Sequence, residues 1–180
     1  HDQTFDLLKD YLDWALYRQL RLAHSLSYGP WAEREVFGGV GFLSLNADLE
    51  RDDVAEAEQV LEELKAQLLK DGLNAETFNR LKQAAIARQA WAVQGNSALA
   101  DYYWSAIGDY EDDRFANPAR ELQAVSLQEA NKAMRELLLQ PGYLRIEKPL
   151  LSDDQLVWAI AGGLGLIVLM LVGWRLHRRK

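Results

Sequence analysis

Apolar positions in the first thirty residues recur at helical spacing. Phe5, Leu8, Leu12, Leu16 and Leu20 lie three or four residues apart, which places them on one face of an amphipathic helix. Gly29-Pro30 ends the pattern, because proline lacks an amide donor and breaks helical continuation. The period then changes. Trp31 to Glu35 predicts a strand, and Val36 to Leu49 predicts its antiparallel neighbour with an opening glycine turn. In the second segment Phe42, Leu45 and Leu49 mix with polar Ser44, Asn46 and Asp48 in rough alternation.

Helical spacing returns in Val54, Ala57, Leu61, Leu64 and Leu68, begun by Asp52-Asp53 and stopped at Gly72. Asn74 is placed to cap a second helix carrying Phe78, Leu81, Ala85 and Ala92. Gly95-Asn96-Ser97 interrupts it, and Leu99, Tyr103 and Ile107 predict a third. The acidic loop Glu111-Asp112-Asp113 leads to Asn117-Pro118, a start signal for a short helix. Ser126-Leu127-Gln128-Glu129 is a capping box ahead of Ala130, Met134, Leu137 and Leu138. Tyr143 to Glu147 alternates like a strand returning to the sheet, and Pro149 ends it. Strands set apart from a block of helices predict an α+β domain over residues 1–149, an antiparallel sheet covered on one face by helices.

Beyond a linker at 150–155, the pattern changes character. Leu156 to Trp174 contains no charged residue and has tryptophan near both ends, at Trp158 and Trp174. Nineteen helical residues rise about 28 Å, close to the hydrocarbon thickness of a bilayer. The expectation is one C-terminal transmembrane helix at 156–174, with the lipid bilayer as a partner. Arg175, Arg178, Arg179 and Lys180 follow it. This basic tail at 175–180 predicts a cytoplasmic C-terminus and an extracytoplasmic domain, periplasmic in a Gram-negative cell.

Charge and composition narrow the classes of function. All 27 acidic residues precede Gln155, and four of the 20 basic residues follow Trp174, so residues 1–155 carry a net charge of −11. Such a surface excludes nucleic acid as a partner, since its binding needs clustered Lys and Arg. Cysteine is absent, which removes disulfides and thiolate metal sites. The three histidines are His1, His24 and His177, with none at ligand spacing to another. No metal site is expected in this chain. Serines 25, 27 and 44 lack a nucleophile-elbow context. The Gly38-Gly39-Val40-Gly41 run lacks the lysine and hydroxyl of a phosphate loop and is read as a turn. The first residue is His1 rather than Met, so a fragment or a processed product is expected.

The chemistry-bearing residues lie where the first helix ends. Arg21 follows the apolar stripe and Tyr28 comes seven residues later. An arginine near a helix end and a tyrosine just past it supply a planar cationic fork and a phenolic donor, suited to a peptide carbonyl or an oxyanion. The same residues also fit a plain structural role, an arginine stem packed at a helix end and a core tyrosine.

Leu20, Arg21, Leu26 and Tyr28 resemble in type and spacing a motif in the C-terminal, non-zinc half of insulinase/pitrilysin-type zinc peptidases. Ser27 stands where that motif has glycine, and Ala23-His24 replaces a more acidic stretch. Lys70 to Phe78 resembles the family's turn between paired helices, and the order of elements over residues 5–148 is similar to the later two-thirds of one structural unit. The resemblance implies that the opening strands of such a unit are missing from this stretch. It also implies that zinc sits in a complementary half bearing H-x-x-E-H, upstream in the same polypeptide or on a separate subunit. This chain would then be inactive alone and would bind a peptide or protein substrate, with Arg21 and Tyr28 contacting it in trans to the zinc. A non-catalytic, membrane-anchored scaffold or assembly subunit on the same fold is the alternative, and a peptide-binding adaptor a further one.

Overall fold

The computed structural model of the protein describes residues 3–38, 40–92, 94–110, 115, 117–148 and 153–177. These fall into two compact units, 1–142 and 143–180.

In the first unit, helix α1 (Gln3–Leu16) continues as a π-helical turn over Tyr17–Ala23. The hairpin β1 (Trp31–Phe37) and β2 (Val40–Asn46) follows, then helices α2 (Val54–Asp71), α3 (Ala75–Ala92), α4 (Asn96–Ser105), α5 (Pro118–Ala124) and α6 (Leu127–Leu139). The architecture is a mostly helical α+β fold with a two-stranded antiparallel sheet among the described residues. The register pairs Trp31 with Asn46 and Phe37 with Val40. The chain reverses between Phe37 and Val40, so Val36 and Phe37 belong to the first strand instead of opening the second. Gly38 supplies the left-handed backbone, φ 57°, that a two-residue hairpin turn requires.

Helix α1 is the element the others pack on. Leu7, Leu8, Leu12 and Leu16 are almost wholly buried, and Leu20 extends the same core into the π turn. Burying such a side chain contributes about 1.5–3 kcal/mol each. One side of α1 meets the hairpin, and other sides meet α3, α5 and α6. Its polar positions make the cross-links. Asp6 pairs with Arg34 of β1 at 2.7 Å, Asp10 pairs with Arg88 of α3, and Asp13 accepts the Ala32 amide at 3.0 Å. Tyr11 is buried, and its hydroxyl accepts the Asn74 amide at 3.0 Å.

The helix signals in the sequence appear as bonds. Asn74 caps α3 through Thr77 N at 2.9 Å, and Asn117 caps α5 through Arg120 N at 3.0 Å. Ser126 and Glu129 form the reciprocal box at the start of α6. The Ser126 amide, and then its hydroxyl, donate to Glu129 and hold that carboxyl below the usual glutamate range. Helix ends also have partners from distant elements. Lys82 donates to the Gln123 and Val125 carbonyls at 2.8 and 2.7 Å, and Arg135 donates to the Leu69 carbonyl at 2.9 Å.

Two expected features change. Residues 143–148 form no strand, and the described sheet consists of β1 and β2. Alternation marks a segment with two faces, but a strand exists only through ladder bonds to a neighbour. The second unit contains helix α7 (Asp153–His177), on which the expected transmembrane helix at 156–174 falls. Among the described residues no helix is long and apolar enough to cross a membrane. The acidic loop at 111–113, residues 150–152 of the linker and residues 178–180 of the basic tail lie outside the described residues.

Gly72 joins α2 to α3 at φ 73° and ψ −164°, a region essentially reserved for glycine. A Cβ there would stand 2.6 Å from the Oδ1 of Asn131, the atom that accepts the Leu73 amide at 2.7 Å. Gly72→Ala is therefore expected to destabilise the chain by about 2–4 kcal/mol, combining backbone strain with a displaced hydrogen bond. Denaturant midpoints of the two chains check this, and an unchanged midpoint would refute it.

Candidate functional site

Arg21 and Tyr28 lie on one irregular segment. Across Tyr17–Ala23 the helix takes the wider π geometry, in which His24 N donates to the Gln19 carbonyl at 3.2 Å. The Leu26 and Ser27 amides then both donate to the Leu20 carbonyl, at 2.7 and 3.3 Å. This closes the helix end one residue wider than the usual six-residue capping turn. Ser25 makes the closure with φ 56°, a left-handed conformation uncommon for a non-glycine residue. Buried Leu20 and Leu26 anchor both sides of it in the core.

The reversal brings the two sequence-predicted residues together. Arg21 Nη1 donates to the main-chain carbonyl of Tyr28 at 2.7 Å. Its Cζ stands 4.2 Å from the centroid of the Tyr28 ring and 5.1 Å from that of the Tyr17 ring. The guanidinium thus binds the peptide oxygen and ring face of Tyr28 within this chain. Tyr28 itself is 83 % exposed, so the core role for this ring is excluded. Spacing alone did not single out Tyr17. Its signal is an aromatic residue four positions before an arginine, on the same helical face.

Neighbouring groups add little chemistry of their own. Ser27, in place of the family glycine, has a buried hydroxyl with no hydrogen-bond partner among the described residues. His24 is exposed, with Nδ1 3.6 Å from Glu56 Oε1. One imidazole beside one carboxylate falls short of a zinc site, which needs at least three protein ligands. Among the described residues no group of three or more His, Cys, Asp and Glu side chains is placed to hold a metal ion.

A separate cleft of about 480 Å³ opens among α3, α4 and the start of α5, and its lining does not include Arg21 or Tyr28. Tyr103 and Phe115 meet edge-to-face there at 4.9 Å. Burial, and then Tyr103 and Glu121, raise the Tyr102 phenol above its usual range.

Comparison with known proteins bears on the fold of the chain. Residues 1–85 match the profile of the Peptidase M16 inactive domain. The fold is similar to the crystal structure of an M16-like peptidase from Alicyclobacillus acidocaldarius, with a TM-score of 0.58 at 19 % identity. That likeness covers 75 % of this chain and 32 % of the other, so the chain spans about a third of that relative's length. No curated protein matches the chain. The resemblance to the C-terminal, non-zinc half of insulinase-type peptidases therefore holds over residues 1–85, which contain both Arg21 and Tyr28.

The strained closure makes its own prediction. Ser25→Gly relieves roughly 1–2 kcal/mol of left-handed strain against an unfolded-state entropy cost of about 0.5–1 kcal/mol. A net gain of about 0.5–1 kcal/mol is expected, read as a higher urea midpoint. A lower midpoint would mean that the serine hydroxyl contributes more than the backbone strain costs.

Proposed function

We propose, on the premise that residues 1–85 are of the M16 inactive-domain type, that this chain is the substrate-binding, non-zinc half of a membrane-anchored zinc metallopeptidase. It completes the active site of a half that bears H-x-x-E-H. The carrying observation is the Arg21–Tyr28 pair, held on a locked helix end with its ring almost fully exposed. Arg21 has N–H donors beyond the one given to Tyr28, and these grip a carbonyl of the substrate backbone. Tyr28 donates to the oxygen that gains negative charge as the scissile carbonyl becomes tetrahedral. The metal and the general base belong to the complementary half. An extended peptide pairs with the hairpin through β2, since Asp13 already takes the Ala32 amide of β1, a mode that reads backbone more than side chains.

Membrane anchoring rests on the sequence of residues 156–174, uncharged over nineteen positions and followed by four basic residues. A topology reporter that is active only outside the cytoplasm, fused near Asp153, is expected to be active. Activity confined to a cytoplasm-only reporter at the same position would overturn the orientation.

The inactive-domain match also favours a second reading, a non-catalytic anchored scaffold on the same fold. Tyr28→Phe separates the two, because it removes one oxygen and almost no volume. In the enzyme assembled with its zinc half, kcat/KM is expected to fall on the order of 100- to 1000-fold with the fold unchanged. Unchanged turnover, with zinc confirmed in the partner half, would remove the catalytic assignment of Tyr28.

A further inference from the structure

The Arg21 guanidinium is gripped from two directions. Tyr28 holds it through a carbonyl at 2.7 Å and a ring at 4.2 Å, while Tyr17 covers it from 5.1 Å. Tyr28 cannot be the independent anchor, because its own place in the exposed loop is fixed partly by the arginine it holds. Tyr17 can. It belongs to the π turn, four residues before Arg21, and its backbone is set by the buried leucines on either side, Leu16 and Leu20. We infer that Tyr17 is the positioning residue for Arg21.

The physical reason lies in the shape of the guanidinium. Its N–H donors all lie in one plane. A ring over a face satisfies the cation through the negative face of its π system and consumes no donor. Two rings near the cation therefore restrict the guanidinium while leaving N–H donors for a further acceptor, such as a backbone carbonyl. An unstacked arginine would lose rotamer freedom on gripping the same carbonyl, and Tyr17 removes part of that cost beforehand. Tyr17 is 39 % exposed, so its ring is not simply filling the core. The inference deepens the proposed function and rests on it for its catalytic consequence, but the positioning itself is a property of this chain.

The test follows Arg21 Nε–Hε in the full chain by nitrogen-15 NMR, recording its chemical shift and the rate of rotation about the Nε–Cζ bond. Wild type and Tyr17→Phe are expected to share a ring-shifted signal and slow rotation, since phenylalanine retains the π face. Tyr17→Leu and Tyr17→Met supply apolar volume without that face, and are expected to lose the shift and rotate roughly two- to fivefold faster, the factor for one exposed cation–π contact. In the assembled enzyme, kcat/KM should fall by a similar factor for the Leu and Met variants and recover with Phe. An Arg21 signal unchanged in folded Tyr17→Leu or Tyr17→Met would overturn the inference. Should Arg21→Ala leave turnover intact, the catalytic reading fails, and the NMR comparison still decides whether Tyr17 positions Arg21.

Discussion

Burial of α1 between the hairpin and helices α3, α5 and α6 is the constraint from which the first unit is built. Its leucines supply the apolar contact, and its three aspartates and Tyr11 fix the neighbours in register with charge-assisted and backbone bonds. The division of labour is physical. Apolar burial is strong but indifferent to sliding, whereas an aspartate on a single amide or guanidinium is satisfied at one position only. With α1 held on several sides, the residue at which it stops being α-helical has little freedom, and the next elements inherit that boundary.

The candidate site grows from that boundary. A helix continuing as a regular α-helix would carry Arg21 onward along its own axis. The π turn and the left-handed Ser25 instead fold the chain back, so that residues seven apart meet. Strain of this kind persists only where surrounding structure enforces it. Here buried Leu20 and Leu26 provide the enforcement. The same segment therefore combines a buried base, Leu20 and Leu26, with an exposed tip at Tyr28.

That base lies within residues 1–85, which match the profile of the M16 inactive domain, and the fold likeness extends to three-quarters of the chain. Helices α2, α3 and α6 serve this arrangement at a distance. The α2–α3 turn is held by Asn131 and Tyr11, so the packing that supports α1 also supports the connection beyond it. The cleft among α3, α4 and α5 stands apart from the Arg21 segment and has no role in the proposed chemistry.

Local signals alone determined much of the chain. Ser126 with Glu129, Asn74, Asn117-Pro118 and Gly72 act within a few residues of themselves, so their bonds follow from sequence spacing. The α+β class was legible for the same reason, as periodicity, and the short motif singled out Arg21 and Tyr28 as residues to locate in the fold. Tertiary structure decided what depends on distant partners. Tyr143 to Glu147 alternates, yet gains no ladder, because strand formation needs a neighbour that periodicity cannot supply. The meeting of Arg21 with the Tyr28 carbonyl, and the place of Tyr17 over the guanidinium, depend on a π turn and a chain reversal flanked by Leu20 and Leu26 in a shared core. Helical period is common to the α and π forms over so short a stretch, and only long-range packing selects between them.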